Sequence, residues 1–208
     1  HQLSGQQADQ REGTGTLTMP DGLTYIGQWQ AGQINGTGKL TQPSGDVYEG
    51  SFTADQRQGQ GKFTGADGSR YQGAWVKGQM EGIGQMTYPS GAVYQGSFKA
   101  DLPDGTGKIT YPDQATYEGE WRAGVIEGQG IARYANGLVY EGQFADAKPE
   151  GTGRMSYPDG YSYEGEWRGG QREGMGTASY ADGTVYTGSF QSGQRAGSGK
   201  ITMADGFV

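Results

Sequence analysis

The sequence predicts an all-β protein: an elongated single-layer antiparallel sheet, laid out as a meander of tandem 23-residue β-hairpins, twisted, curved and solenoid-like. Three observations predict it. A Tyr-x-Gly-x-[Trp/Phe] motif begins at Tyr25, Tyr48, Tyr71, Tyr94, Tyr117, Tyr140, Tyr163 and Tyr186, with 23 residues from each to the next. Apolar and polar residues alternate with period two inside each repeat, the mark of a two-faced strand, and no helical period occurs. Apolar residues make up only 32% of the chain, whereas 42 of its 208 residues are glycine, a composition of many turns and a thin hydrophobic layer. A fixed period of this length marks units that contact chiefly their neighbours.

Residues 24–46 serve as the type repeat. Residues 24–30, Thr-Tyr-Ile-Gly-Gln-Trp-Gln, put rings and glycine at odd positions and mostly polar side chains at even ones, which predicts a first strand. Residues 31–35 supply turn chemistry, residues 36–42 predict a second alternating strand, and Pro43-Ser44-Gly45 closes the unit. Later repeats carry Asp67-Gly68, Asn136-Gly137, Asp159-Gly160 and Asp182-Gly183 at this place, the strongest short hairpin signal. Gln114 follows Asp113 where glycine is usual, which weakens that turn. A Gly-x-Gly pair opens each second strand, and Gly13/Gly15 ahead of Leu17 supplies a leading strand. About seventeen strands result, with a sheet about 80 Å long at about 4.8 Å per strand.

One layer must hold itself together by curling. The odd face carries the rings with Leu40, Phe63, Met86, Ile109, Met155 and Ile201, joined by a second tyrosine column, Tyr88, Tyr111, Tyr134, Tyr157 and Tyr180. Glycines between the rings leave bare backbone for neighbouring rings to cover. Each cross-strand contact contributes only about 0.2–1 kcal/mol beyond burial, so stability accumulates along the array. The even face sets Glu49, Glu118, Glu141 and Glu164 against Lys39, Lys62, Lys108 and Arg154, a balanced and solvated surface.

Composition excludes much chemistry. No apolar run approaches the roughly 18 residues of a membrane helix, and no targeting segment is present. Cysteine is absent, so there is no thiolate site or disulfide. His1 is the single histidine, too few for a histidine-based metal or catalytic centre. No cofactor is expected. Glu118 and Glu120 share a strand face at about 7 Å, a spacing seen in glycosidases, but repetition produces such pairs throughout this surface. Calcium shared between successive Asp-Gly turns fails on distance, about 9.5 Å between turns against ligands about 2.5 Å from the ion. The Gly-x-Gly pairs lack the helix start and lysine of a phosphate loop. A net charge of -7 disfavours nucleic acid and anionic lipid alike. The chain is read as non-enzymatic.

At these residues the pattern resembles the MORN repeat, Tyr-x-Gly-x-Trp-x-x-Gly-x-x-x-Gly-x-Gly with Asp-Gly further on. Residues 25–38 and residues 163–176 match it position by position. Two departures stand out. The ring alternates strictly between Trp and Phe, and the middle glycine is Asp55, Asp101 or Ala147 in three of the four Phe repeats, which suggests a two-repeat unit copied several times. The resemblance implies a scaffold for proteins or membranes, often attached to another domain.

Residues that recur in every repeat are explained by the fold, so specificity belongs where repeats differ. Two surfaces are candidates. An aromatic groove of Tyr25, Trp29, Tyr71, Trp75, Tyr117, Trp121, Tyr163 and Trp167 would hold a partner peptide or helix. A rim of apolar loop tips, Ile34, Met80, Leu102, Val125 and Ile126, would form a contact line. The expected partner is a protein or a flanking domain of the same chain. Membrane lipid and carbohydrate are the alternatives, and edge-to-edge pairing would give homodimers. The polar residues 1–12 stand outside the repeat, and the array is taken as residues 13–208. Val208 falls eight periods after Thr24, just short of a ninth tyrosine, so the array is expected to continue. The compartment stays open, with the regular Gly/Gln-rich repeats and missing cysteines leaning toward a bacterial cell envelope.

Overall fold

A computed structural model describes residues 12–205. His1 and the rest of the polar stretch to Arg11 lie outside the described residues, as do residues 206–208. The chain divides into two compact units, residues 1–103 and 104–208, built on one plan. The first contains β1 (Gly13–Thr18), β2 (Thr24–Gln30), β3 (Gln33–Thr41), β4 (Val47–Thr53), β5 (Gln56–Thr64), β6 (Arg70–Val76), β7 (Gln79–Thr87) and β8 (Val93–Lys99). β9 (Leu102–Thr110) opens at its last two residues. The second unit continues with β10 (Thr116–Arg122), β11 (Val125–Arg133), β12 (Val139–Ala145), β13 (Lys148–Ser156), β14 (Ser162–Arg168), β15 (Gln171–Ser179), β16 (Val185–Gln191) and β17 (Gln194–Thr202). From β1 to β8, and again from β9 to β17, each strand pairs antiparallel with the next. The predicted meander of hairpins is present in both units.

Two kinds of turn alternate. The first joins the strands of a hairpin through two residues at positive φ, such as Ala31 (51°) with Gly32 (77°) or Ala123 (47°) with Gly124 (84°). This is the type I′ turn, whose twist matches that of the flanking strands. It uses only two residues, so the second strand starts at Gln33 and not at Gly36. The residues ahead of each Gly-x-Gly pair therefore have a fixed facing. The second turn closes the repeat. At Tyr157–Tyr161, the Tyr157 N–H donates to Tyr161 O (2.8 Å), the Gly160 N–H donates to Tyr157 O (3.1 Å), and the Asp159 carboxylate accepts the Tyr161 N–H (2.9 Å). Gln114 takes the glycine's place at φ 75° and keeps the same bond, to Tyr111 O at 2.9 Å.

The motif is explained at the crease inside each hairpin. Gly27 sits opposite Gly38, Trp29 opposite Ile34, and the register slips between them. The Tyr25 ring packs against the bare backbone there, and its hydroxyl donates to Gln28 O at 2.8 Å. A Cβ built at Gly38 would meet the Tyr25 ring at 2.5 Å, and one at Gly27 would meet Thr37 O at 2.6 Å. Only a residue without a Cβ fits either position. Tyr71 and Tyr163 repeat the bond, to Ala74 O (2.7 Å) and Glu166 O (2.8 Å). Tyrosine, glycine and bulge are thus one device.

The core is a zipper of rings in T-shaped contact. Tyr25 meets Trp29 of its own hairpin at 5.4 Å and Phe52 of the next at 5.5 Å. Tyr48 meets Phe52 (4.9 Å) and then Trp75 (5.2 Å). Residues 117–190 follow the same rule, from Tyr117–Phe144 (5.0 Å) to Tyr163–Phe190 (4.8 Å). Edge-to-face pairs at these distances contribute about 0.5–1.5 kcal/mol beyond burial, and they occur both within a hairpin and between repeats.

Candidate interaction surfaces

The eight groove residues form the packed interior instead of an open groove. Tyr25 and Tyr163 are wholly buried, Tyr71, Trp75 and Tyr117 nearly so, and Trp29, Trp121 and Trp167 expose at most 7%. The indole N–H groups of Trp75, Trp121 and Trp167 donate to carbonyls of the preceding strand, Gly61 O (3.1 Å), Gly107 O (3.0 Å) and Gly153 O (2.9 Å). Burial opposes the phenolate form, so the Tyr25, Tyr48, Tyr71, Tyr117 and Tyr163 hydroxyls are pushed up to about 12, partly offset by their backbone hydrogen bonds. Arg57, poised beside Tyr48, draws that value down as well.

The rim divides in two. Ile34, Met80 and Ile126 are buried, because the short turn places them in strand register facing the rings, Ile34 opposite Trp29 and Met80 opposite Trp75. Leu102 and Val125, one residue earlier in their repeats, remain exposed at 45% and 37%. Arginine takes the inward place in other repeats. The Arg57 guanidinium stands 4.6 Å from the Trp75 ring centroid and donates to Gly78 O at 2.8 Å. Arg172 bonds the Tyr161 hydroxyl and Gly193 O while lying over Phe190. Both act as stems over the core, with the charge held by carbonyls.

Acidic side chains have a structural use that the repeat pattern alone did not reveal. Glu81, Glu150 and Glu173 accept the N–H of a turn residue in the next hairpin, Ala100 (3.2 Å), Gly169 (2.6 Å) and Ser192 (2.9 Å). The two departures Asp55 and Asp101 reach back to the previous hairpin, accepting the N–H of Ile34 and of Met80, each at 2.8 Å. A sequence signal exists for the first set: an acidic or amide residue recurs ten positions after most motif tyrosines. On the outer face, Glu49 faces Lys39 and Lys62 in register, and Arg154 faces Glu141 and Glu164. Arg122–Glu127 is a direct ion pair at 3.4 Å, well exposed at Arg122 and so worth little. Among the described residues no cluster of three or more His, Cys, Asp or Glu could hold a metal ion, and no helix is long and apolar enough to cross a membrane.

Exposed apolar side chains include Ile26, Ile83 and Met175, and the turn edge of the second unit presents rings. Tyr111 and Tyr134 are each 37% exposed, and their hydroxyls are raised by burial, with Asp113 beside Tyr111 and Tyr111 beside Tyr134. Tyr157 and Tyr180 continue the column half-buried, and Tyr161 bridges them at 5.0 and 5.1 Å.

Nine consecutive segments match the MORN repeat: residues 7–24, 25–47, 48–70, 71–93, 94–116, 117–139, 140–160, 163–185 and 186–208. The chain belongs to the MORN repeat family. No curated protein matches this MORN chain. Among solved structures, the G-box domain of the microcephaly protein CPAP, reported as suggesting a role in centriole elongation, is similar with a TM-score of 0.52 and 19% identity, over 91% of this chain and 98% of that one. The TCP10 domain of Danio rerio CPAP, solved in complex with a peptide of Danio rerio STIL, gives a TM-score of 0.47 and 17% identity, over 93% and 95% of the two chains. At 19% identity the likeness to the G-box domain is one of fold.

Proposed function

We propose that the MORN array, residues 13–208, is a non-catalytic protein-interaction scaffold that takes a partner polypeptide at the side chains distinguishing one repeat from another. One observation carries the reading. The invariant rings and glycines are spent on the core, whereas exposed apolar residues, Ile83, Leu102, Val125, Met175, Tyr111 and Tyr134 among them, sit at repeat-variable or edge positions. Within each unit, side chains that vary along a repeating support suit recognition of an extended partner. The aromatic columns then serve as the floor beneath the contact. The net charge of -7 supports a partner with basic character over an anionic lipid surface.

The test is capture from native extract divided into soluble, membrane and cell-wall fractions, with the 208-residue chain as bait and flotation on neutral and anionic vesicles alongside. A discrete polypeptide enriched from extract, with no flotation, is the expected result. Retention by vesicles or wall glycan without a protein would overturn the reading in favour of a lipid or carbohydrate module. Mass measurement across a concentration series reports edge-to-edge dimers separately.

A further inference from the structure

We propose that the tyrosine ladder of the second unit, Tyr111, Tyr134, Tyr157 and Tyr180, docks a polyproline II segment with proline at every third position and lysine or arginine on its flanks; this rests on the scaffold reading above and names the partner's chemistry. The four tyrosines occupy one place in four equivalent turns. Each donates its N–H to the carbonyl four residues on, Ala115, Leu138, Tyr161 and Thr184, at 2.8 Å. They therefore stand on every second strand, about 9.5 Å apart. A polyproline II chain advances about 3.1 Å per residue with three residues per turn, hence about 9.3 Å between equivalent side chains. The mismatch is about 0.2 Å per rung and stays below about 1 Å over three intervals. An α-helix returns to one face every 5.4 Å or so, and two turns overshoot each rung by about 1.3 Å. A strand returns every 6.7 Å or so and matches no rung. Only the polyproline repeat keeps step with the ladder.

Chemistry agrees with spacing. Polyproline II leaves its carbonyls without internal partners, and tyrosine presents a ring for the pyrrolidine with a hydroxyl to donate. Among the described residues the hydroxyls of Tyr111, Tyr134, Tyr157 and Tyr180 have no hydrogen-bond partner. Tyr161, whose hydroxyl is held by Arg172, fills the step between Tyr157 and Tyr180 as a further ring. Three of the four turns carry Asp113, Asp159 and Asp182, all exposed, and the Tyr134 turn carries the neutral Asn136. Each accepts a turn N–H on one carboxylate oxygen, from Ala115, Tyr161 and Thr184 (2.9 Å each). A row of carboxylates beside a row of rings fits a proline helix with basic flanks. The first unit lacks the ladder, having Gln42 and Gly65 at the equivalent positions before Tyr88.

The probe is a fluorescein-labelled, lysine-flanked peptide with proline at every third position, titrated by anisotropy into the whole 208-residue chain. The control has the same composition with proline at every fourth position. The expected result is binding at least about tenfold tighter for the first peptide, weakened by added salt. It should be lost by about tenfold in a Tyr111→Ser/Tyr134→Ser variant and several-fold in Tyr134→Phe, which removes only a hydroxyl. Equal affinity for both peptides, indifference to these substitutions, or no anisotropy change up to about 1 mM would overturn the proposal. If the double variant loses its β-sheet circular dichroism, the spacing comparison and Tyr134→Phe decide. A protein captured from extract equally by wild type and Tyr134→Phe would leave the scaffold reading standing while sinking this one.

Discussion

Gln114 holds a left-handed turn, φ 75°, that every other equivalent turn among the described residues gives to glycine. An L-residue there costs about 1–2 kcal/mol, partly returned because glycine loses more entropy on folding. Gln114→Gly should therefore raise stability by about 0.5–1 kcal/mol, read as a higher urea midpoint at unchanged slope. Gly38 is the opposite case. Its backbone lies under the Tyr25 ring, where a Cβ would stand 2.5 Å from the ring, so Gly38→Ala should cost about 3 kcal/mol or more. A midpoint within experimental error of wild type would show that the ring is not seated there. Asp55 gives a smaller effect: without its carboxylate the Ile34 N–H loses a 2.8 Å partner, and Asp55→Ala should lower stability by about 1 kcal/mol, whereas Asp55→Asn should restore most of it.

At the scale of the hairpin, each tryptophan contributes a ring to the zipper, and Trp75, Trp121 and Trp167 add an N–H to the strand before them. Trp75→Leu should lower stability by about 3 kcal/mol through loss of the Tyr48 and Tyr71 contacts and of the bond to Gly61 O. A Trp75→Leu protein of normal urea midpoint would contradict the burial of this ring. The strands, hairpins and ring columns were legible because period two and the 23-residue repeat are both written directly in the residues. The facing of Ile34, Met80 and Ile126 was not. A two-residue type I′ turn with alanine at positive φ, as at Ala31 or Ala123, has no Asn-Gly signature, so the turn read as longer and its neighbours as loop tips. Nor did the sequence mark the aromatic columns as closed, since ring positions alone say nothing about how tightly a sheet creases. The Gly27–Gly38 pairing and its register slip supply that crease.

For the whole molecule, the tyrosine hydroxyls set an alkaline limit. In the folded chain those of Tyr25, Tyr48, Tyr71, Tyr117 and Tyr163 ionise near 12, against 10.0 for exposed tyrosine. A folded value above the unfolded one means that stability is fully present below pH 10 and is lost as pH climbs through 10 to 12, where the unfolded chain releases protons first. Tyrosinate absorbance and β-sheet circular dichroism should change together in that window; absorbance completing its rise near pH 10 with the sheet intact would contradict the burial. The couplings between repeats carry a consequence of another kind. Tyr25 reaches a Phe of the next repeat and Tyr48 a Trp, while Asp55 and Asp101 of Phe repeats cap residues of Trp repeats. Deleting one period would place unlike junctions side by side, Trp after Trp, with a cap missing or misplaced. Deleting two restores the alternation of rings at every junction. The heritable step of such a gene is therefore the pair, and chains descended from it by unequal recombination should differ in length by even numbers of repeats.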